Sequence, residues 1–398
     1  MAATELPSPP RPSPPARNRV AGAGARPAAA GSAILHGIRA PSSPSTRLIG
    51  LDVARAFAML GMFASHYGAH ILDRPERNWP SSVVRFVDGR AMPLFVVLSG
   101  AGCVFICRRP AAWIRILSRA GLLLLAGLWL EGGLVAVILH FYALYLIIGL
   151  LLTRLPKSWW LPLAVAITVT GAWIRIYIAD DLPKPYLITD DSWWSALPEL
   201  GHPRLLLSHL MFTGIYPALP TMAFFLVGMW LATLDLRARA TVARLLAIGL
   251  AMAVIGYGVG WNTDDHRAHL APTSTSGWRW LSAAGHSQMP AWIVGSTGLA
   301  IAVIGTCLWV TARLPQATLV LAHAGQLALT FYIVHVFLLR RGLREWPWHM
   351  SPPAILAAIA GLYAGFVVIA DQWRRRRAHG PAEAILRFAD SASHKVPV

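Results

Sequence analysis

Apolar segments of about twenty residues recur along most of this chain, and each is long enough to cross a bilayer as a helix. They fall near 49–71, 91–108, 113–131, 134–153, 159–179, 213–234, 241–261, 290–311, 318–339 and 353–372. Backbone in lipid must satisfy its hydrogen bonds internally, so the pattern predicts an all-α polytopic integral membrane protein with about ten transmembrane helices. Composition agrees: 13% of residues are charged, about half the soluble share, and the mean hydropathy is +0.52. Segment 134–153 has room to open with a short re-entrant piece, and 203–216 reads as an interfacial helix before the sixth span.

Charge placement gives an orientation. With the N-terminus inside, the inner loops carry Arg108, Arg109 and Arg115, then Arg154 and Lys157, Arg237 and Arg239, and Arg313. The run Arg374 to Arg377 is then also inside, and the acids of the 180–202 loop are outside. Loop 73–90 (Arg74, Arg77, Arg85, Arg90) and Arg340, Arg341 and Arg344 run against this majority. The expected placement is a multi-pass protein of the cytoplasmic (inner) membrane, N-in and C-in. Residues 1–46 are rich in Pro, Ala and Arg and predict a disordered cytoplasmic tail with no signal-peptide pattern. Residues 47–373 form the transmembrane domain, and 374–398 a basic cytoplasmic tail. The net charge of +17 is spread over loops and tails, so the expected partner is the lipid bilayer and not nucleic acid.

The first span carries four ionisable residues: Asp52, Arg55, His66 and His70. At about 100° per residue, Arg55 and His66 differ by about 20° in azimuth and roughly 16 Å in height. Asp52 and His70 lie within about 60° of them, so the four form one stripe. Ionisable groups in a span cost several kcal/mol and normally face a bundle interior, so the stripe predicts a common polar cavity. The plainer alternative is a structural Asp52–Arg55 ion pair with the histidines at the headgroups. A second set of polar residues falls at the His66 level: Asp88, Arg90, His140, Tyr142, Tyr216, His286, Ser287, Tyr332 and His335. Pro217 and Pro220 predict a helix break beside Tyr216. His323 and His209 read as core or interface histidines.

Cys103, Cys107 and Cys307 read as small buried hydrophobes, and no metal site is expected. No phosphate-binding glycine loop, dinucleotide fingerprint or HExxH motif occurs. Gly256, Gly258 and Gly260 suggest close helix packing.

Arg55, ten residues, then His66 resembles the opening pattern of the membrane acyltransferase superfamily, which includes acyltransferase-three enzymes and heparan-alpha-glucosaminide N-acetyltransferases. The fuller pattern resembles its YeiB-like bacterial branch, whose function is unknown. It comprises RLIGLDVARAFAMLGMFASH, DGRAMPLFVVLSG, TGIYPALPTMAFFLVGMWLATLDL, GHS at 285–287, HAGQLALTFYIVHV, and Trp373 followed by GPAEAILR at 380–387. The likeness covers 47–388. The animal heparan enzyme has an Asn near the place of His66 and a His in the following loop. Here loop 71–90 has no His, which leaves His70 or Asn78 as the stand-in.

The resemblance implies an acyl-CoA-dependent acyltransferase, with acetyl-CoA as donor and a glycan or glycolipid acceptor at the outer face. His66, with His70 beside it, is then the candidate base, and Arg55 with Asp52 the candidate acyl-CoA site. Asp88, Arg90, His140, Tyr142, Tyr216, His286, Ser287 and His335 are the candidate acceptor cavity. A proton-coupled transporter of a small polar or anionic solute is the alternative reading of the same polar stripe, and a non-catalytic membrane scaffold a third.

Overall fold

The computed structural model describes residues 47–72, 78–131, 137–179, 181–182, 197–267, 277–340 and 349–392, with side chains at 199, 261–278 and 389–392 left aside. The described residues from Leu48 onward form one compact unit. The N-terminal tail, most of the acidic 180–202 loop, and Arg74, Arg77, Arg341 and Arg344 lie outside the described residues.

The described chain is helical. In order, the α-helices are α1 (Ile49–Leu72), α2 (Trp79–Val87), α3 (Ala91–Cys107), α4 (Ala112–Leu130), α5 (Leu139–Leu152), α6 (Trp160–Tyr177) and α7 (Pro203–Ser208). They continue as α8 (Ala218–Leu231), α9 (Arg239–Arg267), α10 (Pro290–Arg313), α11 (Pro315–Gln326), α12 (Ala328–Leu338), α13 (Pro352–Arg376) and α14 (Pro381–Ala392). Every apolar segment read from the sequence is therefore helical over most of its length. Among the described residues, six stretches are long and apolar enough on their own to cross a membrane, or up to eight if each of two bent helix pairs is one span. The remaining two of the ten segments are α1, which carries the charged stripe, and the 14-residue α5. The protein is a multi-pass membrane protein.

Two local features depart from the sequence reading and a third sharpens it. Loop 73–90 contains α2, whose start is fixed by a reciprocal cap: Ser81 N donates to Asn78 Oδ1 at 3.1 Å and Asn78 N donates to Ser81 Oγ at 3.1 Å. Asn78 thus works as a helix cap. Segment 318–339 is two helices, α11 and α12, bent by 61° at Leu327. Segment 203–216 is α7 followed by a π-helical turn at His209–Thr213, and this pair meets α8 at 63°. That last break falls where Pro217 removes a backbone donor, as the sequence requires.

Small residues bring the helices close. A Cβ at Gly100 of α3 would sit 2.0 Å from the Phe225 carbonyl oxygen of α8, and one at Gly228 of α8 would sit 1.9 Å from that of Val97. Gly256 lies against Gly295 and Ala291 of α10, and Gly260 against Ala283, whereas Gly258 faces open space. Two of the three glycines in that run therefore serve packing. α1 runs through the middle of the bundle, packed against α2, α3, α10, α11 and α13. Cys103 and Cys307 are buried and all three cysteines are free.

Candidate functional site

The stripe on α1 meets the broken pair α11–α12 at both of its ends. At one end Asp52, 2% exposed, accepts a hydrogen bond from Arg55 and another from Gln326 Nε2 at 3.1 Å. α11 comes this close because residue 325 is glycine: a Cβ there would lie 1.8 Å from the Asp52 carbonyl oxygen. At the other end, His66 Nδ1 lies 3.0 Å from His335 Nε2 of α12, with the two rings stacked at 5.2 Å. His335 is fully buried, and Phe63 packs on its ring at 5.4 Å. One imidazole of the pair must donate and the other accept, so the contact fixes complementary tautomers. His70 is half-buried one turn further along α1 and takes no part in this pair.

Most of the remaining candidates form a chain of contacts that leads away from His66 and His335. The Tyr332 ring lies 5.1 Å from His335, and its hydroxyl accepts from Ile138 N at 3.1 Å. Tyr332, Tyr216 and Tyr142 are within electrostatic reach of one another, and Glu131 is within reach of the first two. The Tyr216 ring packs edge-on against His286 at 5.4 Å. His286 in turn is within electrostatic reach of both Asp88 and His66. His140 is 1% exposed, its Nδ1 lies 3.9 Å from Glu131 Oε2, and its ring stacks on His209 at 5.9 Å. Gly127 of α4 makes room for His140, because a Cβ there would lie 2.2 Å from the His140 amide nitrogen.

Two turns hold the rim together. The Asp88–Arg90 turn meets the Gly285–Ser287 turn at Gly89, where φ is +71° and a Cβ would lie 2.5 Å from Gly285 Cα. His286 and Gln288 also have positive φ, each 61°. Such backbone costs about 1–3 kcal/mol for a side-chain-bearing residue and persists where its surroundings enforce it. Gln288 does part of that work by donating from Nε2 to the Ile215 carbonyl at 3.1 Å, which ties this turn to the break before α8. His286 lies outside the spans. Burial holds its imidazole below the ordinary value, and the Asp88 carboxylate opposes that shift.

Several buried polar atoms here have no hydrogen-bond partner among the described residues: both ring nitrogens of His140, the Tyr142 hydroxyl, and Nδ1 of His286. Gln288 Oε1, Trp292 Nε1 and Thr213 Oγ1 share this state. An unpaired buried polar atom costs about 1–3 kcal/mol, so a concentration of them in one place marks a region shaped for something other than stability. Donors and acceptors are mixed, as suits a hydroxylated ligand.

Two expected members stand apart. The Arg90 guanidinium lies over the rings of Phe86 at 5.0 Å and Tyr257 at 4.3 Å, and donates to the Arg85 and Asp88 carbonyls. It braces the turn against α9, because an arginine beside two aromatic faces gains more by stacking than by entering a polar cluster. Ser287 turns into its own loop, with Oγ 3.4 Å from the Ser282 carbonyl. His323 is an interface residue as read, with Nδ1 2.8 Å from Asp371 Oδ1. Glu131 was missed, although it is the only acid between Asp88 and Asp180. Among the described residues no group of three His, Cys, Asp or Glu is placed to hold a metal ion.

The helices and this buried His–Tyr cluster define a polytopic membrane protein with a polar site enclosed among its spans. Residues 47–256, more than half of the chain, match the family described as heparan-alpha-glucosaminide N-acetyltransferase, catalytic. Residues 235–391 match a second family, described only as a protein of unknown function, DUF418. The chain belongs to the heparan-alpha-glucosaminide N-acetyltransferase catalytic family and has a membrane acyltransferase-like function. No curated protein matches it.

Proposed function

We propose that this protein transfers an acyl group, in the simplest case acetyl, from acyl-CoA to a hydroxyl or amine of a glycan or glycolipid at the outer face of the cytoplasmic membrane. The N-terminus, with its tail of residues 1–46, and the C-terminal segment from 374, whose α14 packs on α4 and α12 of the acyltransferase-like domain, would lie inside. The observation that carries the reading is the His66–His335 pair inside the polar cluster, in a chain of this family. With His335 holding one ring nitrogen, His66 presents the other to the acceptor, the base-and-orienter arrangement of nucleophilic catalysis. His66 takes the acceptor's proton as the acceptor oxygen or nitrogen attacks the thioester carbonyl. The carbon–sulfur bond then breaks, and the proton passes to the departing thiolate.

The donor side of this reading rests on Arg55, whose planar fork suits phosphate oxygens. Arg55 is already paired with Asp52 and its side chain is 32% exposed, so a phosphate would have to share it. The roughly 16 Å between Arg55 and His66 is of the order of a pantetheine arm. On the acceptor side, the atoms of His140, Tyr142 and His286 that lack partners among the described residues supply the hydrogen bonds a sugar needs.

The test is acetyl-CoA titration of the purified protein in nanodiscs, followed by radiolabelled acetyl transfer to amino-sugar and hydroxyl acceptors. Saturable binding and transfer support the reading. A protein that binds no acyl-CoA, and instead catalyses pH-driven solute uptake in liposomes, would replace it with the transporter.

A further inference from the structure

The break between α11 and α12 leaves the first amides of α12 without helical partners, and the side chain at its N-cap, Leu327, makes no capping bond. The cap comes from more than fifty residues away. Glu383, in the first turn of α14, accepts from Leu329 N at 2.9 Å and Thr330 N at 3.1 Å through Oε1. Its Oε2 accepts from the Thr330 hydroxyl at 2.5 Å, and that hydroxyl accepts in turn from Ala382 N at 3.1 Å. One carboxylate therefore faces the N-terminal, electropositive ends of two helices, α12 and its own.

The rest of the C-terminal motif builds this contact. Trp373 Nε1 donates to the His379 carbonyl at 2.8 Å, which closes the turn leading out of α13. Gly380 lets the turn approach, since a Cβ there would lie 2.2 Å from Glu383 Oε2 and 2.8 Å from Thr330 Oγ1. Pro381 opens α14, which packs on α4 and α12. His335 follows Thr330 on α12 by five residues, about 8 Å along the axis.

We propose that Glu383 is a positioning residue: by capping α12 from α14 it sets the height and rotation of the helix that carries Tyr332 and His335, and so holds His335 against His66. The proposal rests on the His66–His335 pair being the working centre, but its geometric content stands without any transferase activity. The experiment uses the full-length protein in nanodiscs and the variants Glu383→Ala and Glu383→Gln. Carbethoxylation of individual histidines by diethyl pyrocarbonate is followed by peptide mass spectrometry beside thermal melting.

Losing a cap of this kind shifts a local equilibrium about fivefold, so His335 in Glu383→Ala should label about fivefold faster. His323 should be unchanged, and Glu383→Gln, which keeps an acceptor oxygen, should lie between. Where acetyl transfer is measurable, kcat should fall with the KM for acetyl-CoA unchanged. Equal acceleration at His323 and His335, or none at either in a folded variant, overturns the proposal. If Glu383→Ala does not fold, Thr330→Val removes the shared hydroxyl alone, and the same comparison of His335 with His323 decides. A wild type without transfer activity but with the expected labelling pattern would sink the enzyme reading and leave this one standing.

Discussion

The two ends of the α1 stripe use the same helix and the same broken partner, yet they are built on opposite terms. At the Asp52 end, both carboxylate oxygens have partners, Gly325 brings the α11 backbone into contact, and Gln326 Oε1 alone of that group is left without a partner among the described residues. At the His66 end, one strong contact, His66 to His335, sits among imidazoles, a phenol and an indole with unpartnered atoms. Polar groups inside a membrane bundle that satisfy one another are a structural solution to the cost of burial. Polar groups that are buried and left unpaired subtract from stability and are retained for another reason. The contrast separates an end whose carboxylate is satisfied within the bundle from an end rich in unpaired polar atoms, and the proposed proton transfer belongs to the second.

Removing His66 should give the largest effect. His66→Ala is expected to lower acetyl transfer by about two to four orders of magnitude, the usual loss for a general base. Expression and acetyl-CoA binding should stay near normal, while the melting temperature should fall by a few degrees, because the buried His335 Nε2 loses its partner. A variant that transfers at the wild-type rate would end the assignment and move attention to His70, one turn away. His335→Ala should be slower than wild type but faster than His66→Ala, since it removes the orienting partner and leaves the base.

The Asp52 end should respond in stability first. Breaking a buried pair from one side costs about 3–5 kcal/mol, and the partial exposure of Arg55 reduces that to about 1–2 kcal/mol for Asp52→Ala. Thermal melting should fall by a few degrees. The double replacement of Asp52 and Arg55 by Leu should recover most of this loss. Acetyl-CoA binding separates two roles for Arg55: weaker binding in a stable Arg55→Ala protein, unrescued by Lys, marks a donor contact. Unchanged binding in the double variant would confine the pair to architecture.

Much of this was legible in the sequence because membrane burial makes each ionisable residue conspicuous. The shared azimuth of Asp52, Arg55 and His66 follows from spacing alone, and both ends do face one helix pair. Asp88, His140, Tyr142, Tyr216, His286 and His335 were gathered by their common level, and the fold brings them together. Arg90 and Ser287 share that level but turn aside, because level along a span does not determine which way a side chain points. The break at Leu327 was not legible: HAGQLALTFYIVHV contains no proline, and the free amides it creates are capped by Glu383, a residue distant in sequence. Glu131 was readable as the lone acid beside a span but lacked a neighbour in sequence to give it meaning.

The smallest expected effect lies at the rim of the His66 end, where the His286 ring packs on Tyr216 and Trp292 within electrostatic reach of Asp88 and His66. Burial keeps its imidazole below the ordinary value of 6.5, against the pull of Asp88. A histidine depressed on folding contributes stability that is present above 6.5 and is lost as pH falls through its folded value, because the unfolded chain takes the proton first. The wild-type melting temperature should therefore drop between pH 7.5 and pH 5. His286→Asn removes the titration while tolerating the positive φ, so its drop should be smaller, by about 1 kcal/mol of stability for each unit of depression. His66 titrates nearby, and the comparison belongs in a His66→Ala background as well. Equal acid sensitivity with and without the imidazole would show that the rim is solvated and that the enclosed site begins deeper, at Tyr216.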